Sequence, residues 1–134
     1  MEKNTNLTFE IIIEIVIALV LGLIINILGF IVGATFGGNF GFFNYNGVPG
    51  YEAGGLFIGI IGFAIGVFLS TIISAEIFKI KGSIFSAFIG CLIGAVITLI
   101  LNIFSTNFYL LLITMTFPII GSILGLNLKK IYKE

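Results

Sequence analysis

Apolar residues run along this chain in four long blocks, each broken only by isolated polar positions. The blocks extend from Ile11 to about Phe36, from Ala53 to about Phe78, from Gly82 to Phe104 and from Phe108 to Leu128. A bilayer core of about 30 Å needs roughly 20 apolar residues in a helix, so each block is long enough to span one. The pattern predicts an all-α, polytopic membrane protein, a compact four-span bundle forming one domain over residues 1–134. The junctions "EIFKIKG" and "FSTNF" are tight, which makes consecutive helices antiparallel neighbours.

Within the blocks, small residues recur at helical spacing. The second carries Gly55, Gly59, Gly62, Gly66 and Ser70 on one face; the third carries Gly82, Ser86, Gly90, Gly94 and Thr98. Beside that line, Ser83, Ala87, Cys91 and Ala95 widen the small face of the third span. The first block offers Ala18, Gly22, Asn26, Gly29 and Gly33, and the fourth Thr114, Pro118, Gly121, Ser122 and Gly125. Lipid tails are as apolar as leucine, so membrane helices associate where small residues let backbones approach. These lines are expected to pack the bundle internally, with the wide face of the third span as the candidate contact for another molecule.

Composition agrees with a lipid solvent. Hydrophobic residues make up 59% and charged residues 9% of the 134, against about 25% charged in soluble domains; mean hydropathy is +1.28. Every lysine falls on one side of a four-span topology. Lys3 precedes the first span, Lys79 and Lys81 join the second to the third, and Lys129, Lys130 and Lys133 follow the fourth. The positive-inside rule then predicts a multi-pass protein of the cell membrane with both termini cytoplasmic. The first block is too long for a signal-peptide core and no small-residue cleavage site follows it, so it reads as a retained span.

The chemistry on offer is limited. There is no His, Asp, Arg or Trp, and Cys91 is the single cysteine. These absences leave no Ser-His pair, no aspartate dyad and no His- or Cys-based metal cluster, and no catalysis, cofactor or metal is expected. Zero net charge gives no basis for nucleic-acid binding. Glu10 and Glu14 share a face near the start of the first span and Glu76 ends the second; headgroups or Lys79, Lys81, Lys129 and Lys130 are their expected partners. Glu14 is also a candidate coupling carboxylate, because tilt would carry it inward. Asn26, Thr98, Thr114, Pro118 and Ser122 form a candidate intramembrane polar site, in which Pro118 deprives the Thr114 carbonyl of its helical donor and kinks the fourth span.

The stretch from Gly37 to Glu52 joins glycines to Phe40, Phe42, Phe43, Tyr45 and Tyr51, aromatics suited to a membrane interface. With turn dipeptides at Asn46-Gly47 and Pro49-Gly50, it is expected to fold back on the external face, a lid being the sharper alternative. Two functions remain. The first is a non-catalytic membrane protein that packs with itself or as an accessory subunit of a larger complex. The alternative is a small channel or carrier for an ion or neutral solute.

Overall fold

A computed structural model describes residues 7–40, 49–80, 82–103 and 108–131, with side chains over 9–39, 49–80, 82–102 and 109–127. Among these residues there are helices and no strands: α1 (Leu7–Phe40), α2 (Gly50–Ile77), α3 (Ile84–Ile103), α4 (Phe108–Thr114) and α5 (Thr116–Ile131). Four segments are long and apolar enough to cross a membrane: Phe9–Asn39, Gly50–Ile77, Ile84–Asn102 and Tyr109–Asn127. The last of them includes α4 and α5, interrupted at Met115.

The helices of the first pair overrun the boundaries expected from sequence. Gly37 and Gly38, past the expected end near Phe36, lie inside α1, and α2 begins at Gly50, before the expected Ala53, with Gly54 and Gly55 inside it. The reason is close approach. A Cβ on Gly37 would strike the Gly50 carbonyl, so these glycines extend the contact between helices instead of ending it. Residues 41–48, which hold the centre of the expected folded loop, lie outside the described residues.

The chain forms two antiparallel hairpins. In the first, α1 crosses α2 with Gly22 beside Gly66, Asn26 beside Gly62, Gly29 beside Gly59 and Gly33 beside Gly54. A Cβ added to Gly29, Gly62 or Gly66 would lie 2.6 Å from a carbonyl oxygen of the facing helix. In the second hairpin α3 runs against α5, with Ser86 beside Gly125, Gly90 beside Gly121 and Gly94 beside Phe117. Gly90 and Gly121 each leave room for the other's carbonyl and for no side chain.

The hairpins meet through an apolar layer of Ala18, Phe63, Val67, Cys91 and Ile119, one or two residues from each of α1, α2, α3 and α5. Phe63 fills the space left by Gly22, and the Cys91 thiol donates to the Ala64 carbonyl at 3.3 Å. Phe68 and Phe88 meet edge to face, 5.1 Å between centroids, and join α2 to α3. A smaller cluster of Ala75, Ala87 and Leu126, capped by Ile80, closes one end.

Local signals set the turn between α2 and α3. Lys79 takes a left-handed conformation (φ 51°), and the Ile80 N–H reaches back to the Ala75 carbonyl at 3.0 Å. This is a Schellman-type stop, with Ile80 supplying its usual apolar contact. Ser83 then caps α3, its hydroxyl accepting from the Ser86 N–H at 3.2 Å.

The exterior is apolar along its length, with Ile12, Val16, Ile27, Ile31, Ile65, Phe85, Ile93 and Leu124 all exposed. Buried positions, by contrast, include Glu10, Glu14, Ser70, Thr71, Ser74, Thr98, Thr114, Ser122 and Asn127. Water would favour the reverse arrangement; hydrocarbon favours this one.

Candidate functional site

Most of the buried polar groups fall into two clusters on opposite sides of the apolar layer, while Asn127 bonds within its own helix, to the Ile123 carbonyl at 3.0 Å. The first surrounds the break in the fourth span. Pro118 has no N–H, so the Thr114 carbonyl has no donor at the position a helix would supply. The Thr98 hydroxyl fills that place, 2.6 Å from the Thr114 oxygen and 2.9 Å from the Gly94 carbonyl. Asn102 completes the arrangement, its Nδ2 donating to the Thr114 hydroxyl at 2.7 Å and to the Thr98 carbonyl at 2.8 Å. The Thr114 hydroxyl in turn donates to the Leu111 carbonyl at 3.0 Å. Every polar atom so named has a partner within the protein, and the cluster works as a splint for the broken helix.

The second cluster lies towards the start of α1. The Thr71 and Ser122 hydroxyls are 2.7 Å apart and tie α2 to α5. Ser70 and Thr71 both donate to the Val67 carbonyl, at 2.6 and 3.0 Å. The pairing of Gly22 with Gly66, continued one helical turn at a time, sets Ala18 opposite Ser70 and Glu14 opposite Ser74. All four are buried, Glu14 to 3% exposure and Ser74 to 0%. Glu10, one turn before Glu14, is 7% exposed. Glu14 thus faces the bundle, whereas Glu76 is exposed.

Of the residues singled out in the sequence, Thr98, Thr114 and Pro118 come together. Ser122 joins Thr71 in the other cluster. Asn26 sits on the first hairpin, half-buried, with its Nδ2 3.2 Å from where a Gly59 Cβ would stand. Sequence reading missed Asn102, Thr71 and Ser74. The signals were present: Asn102 stands four residues after Thr98, and Ser74 continues the Gly62, Gly66, Ser70 line by one turn.

A third feature is external. The α3–α5 contact leaves an open groove of about 500 Å³, floored by Gly90, Gly94, Gly121 and Gly125 and walled by residues such as Ile93 and Leu124. It is almost wholly apolar. Gly82, the first of that line and two residues before α3, packs against Leu126.

No family model, curated protein or solved structure matches this chain.

Proposed function

We propose that this is a non-catalytic integral membrane protein of the cell membrane that works by packing, with its glycine lines serving as helix seams. Gly55, Gly59, Gly62 and Gly66 close the first hairpin, and Gly82, Ser86, Gly90 and Gly94 close the second. The outer side of the second seam receives a transmembrane helix, from another copy of the chain or from a larger complex. The groove over Gly90, Gly94, Gly121 and Gly125 carries this reading: its floor is half-buried or buried glycine and its walls are isoleucine and leucine, a concave apolar surface on which a helix packs closely and gains contacts that lipid tails make poorly. The six lysines support cytoplasmic termini. Conduction is the weaker reading, since Phe63, Val67, Cys91 and Ile119 lie between the two polar clusters without a polar path.

The test is the mass of the particle extracted in a mild detergent. A stoichiometric assembly heavier than the 14.4 kDa chain is expected. Ile93→Trp and Leu124→Trp should break it while leaving the hairpins folded, because both side chains lie on the groove wall. A single chain with bound lipid refutes the packing role, and solute flux in liposomes then becomes the leading reading.

A further inference from the structure

We propose that the outer face of α1 is a second contact surface, on which two copies of the chain pair about a twofold axis through Asn26. The first span extends from Phe9 to Asn39, which puts Asn26 about 26 and 20 Å from its two ends at 1.5 Å per residue. A core about 30 Å thick then surrounds this amide with hydrocarbon. Its Nδ2 lies over α2, 3.2 Å from where a Gly59 Cβ would stand, and the side chain is only half-buried. It has no hydrogen-bond partner among the described residues. Asn102, by contrast, donates twice within the bundle. An amide brings two donors and an acceptor, and lipid tails can satisfy none of them.

The residues around Asn26 form a seam. Val16, Leu19, Leu23, Asn26 and Phe30 recur at alternating spacings of three and four, the a and d positions of a heptad pattern. The four apolar members are all exposed. Asn26 stands on the border between this seam and the α2 contact, one turn before Phe30, whose ring covers Gly55. A single asparagine in such a seam fixes register and partner number, because only one alignment brings polar groups together.

A second copy supplies what the amide lacks. The one-sided lysines give every copy the same orientation, so the partner copy carries its own Asn26 at the same depth. Across a twofold axis along the membrane normal, each amide N–H donates to the other amide's oxygen, and two bonds form at once. A different protein would need a polar group matched to that depth; a copy has one by construction. The seam belongs to the first hairpin and the groove over Gly90 and Gly94 to the second, so the two contacts are separable.

The full chain in liposomes tests the pairing. Leu23→Cys places a thiol on the seam and Leu28→Cys places one on the opposite side of α1, both at exposed positions, while Cys91 is buried. Oxidation with copper phenanthroline should join two copies through Leu23→Cys and not through Leu28→Cys. Energy transfer between chains dyed at their C-termini, followed as lipid is added, gives the dimer Kd. Asn26→Leu, close in shape, should raise that Kd about eightfold, the effect of two interhelical bonds of average strength. Asn26→Gln, which keeps the amide, should raise it less. An unchanged Kd in Asn26→Leu overturns the proposal, as does equal cross-linking through the two cysteine positions. Ile93→Trp should leave the Leu23→Cys cross-link in place. Loss of that cross-link overturns the proposal in favour of the groove alone, whereas an assembly that survives Ile93→Trp and weakens in Asn26→Leu refutes the groove reading and supports this one.

Discussion

Removing the hydroxyl of Thr98 should destabilise the bundle by an amount that depends on residue 118. Thr98→Val preserves shape, and Thr98 is 0% exposed, so water cannot replace the lost donor. The Thr114 carbonyl then keeps no donor, because Pro118 offers none and the 2.6 Å bond from Thr98 is gone. An orphaned buried acceptor costs about 1–3 kcal/mol, and measured interhelical bonds in membranes average about 0.6. We expect a loss of about 1–2 kcal/mol, roughly a five- to thirtyfold fall in the folded-to-unfolded ratio. Pro118→Ala restores a backbone N–H within reach of the Thr114 carbonyl. In that background Thr98→Val should cost about 1 kcal/mol less. The Asn102 amide, which bonds to the Thr98 backbone and the Thr114 side chain, is unaffected by either change. The cycle is measured by detergent-driven unfolding in mixed micelles, followed by the separation of dyes on the two hairpins. Equal costs in the two backgrounds, within about 0.3 kcal/mol, would refute the claim that Thr98 substitutes for the missing donor.

Other changes probe the hairpins and their turn. Gly33→Ala should cost about 1–3 kcal/mol in the same assay, because its methyl meets the Gly54 backbone, whereas Gly38→Ala meets only the Tyr51 Cβ at 3.5 Å and should be near neutral. Lys79→Gly should stabilise the protein by about 1 kcal/mol, relieving the left-handed backbone at φ 51°. Ser83→Ala should lose about 1 kcal/mol through the Ser86 cap, measurable as faster amide exchange in the first turn of α3.

Span number and the break in the fourth span were legible because each follows from a local rule. Twenty apolar residues cross a bilayer, and a proline removes one donor four residues from a known acceptor. Helix ends were less legible. Glycine signals both termination and close approach, and at Gly37 and Gly54 the facing backbone decides between them. Partner choice was harder still. Asn26 and Thr98 belong to one candidate polar site by sequence, yet the acceptor that Thr98 serves is the Thr114 carbonyl, only sixteen residues on and brought near by the antiparallel hairpin. No local pattern distinguishes these, because every hydroxyl on a small-residue face reads alike.

Glu14 marks the same boundary from the other side. Its place near the start of α1 suggested headgroups, because position along a span gives depth but not azimuth. Azimuth is set by the small residues that follow it: Ala18, Gly22 and Gly29 lie on the face turned to α2, and Glu14 is one turn before Ala18 on that face. Moving the carboxylate to lipid would require turning α1 and losing the Gly22–Gly66 and Gly29–Gly59 contacts that hold the first hairpin. The packing that stabilises the hairpin therefore also keeps Glu14 inside. A buried carboxylate is thus built into the fold by the same small residues that close the hairpin.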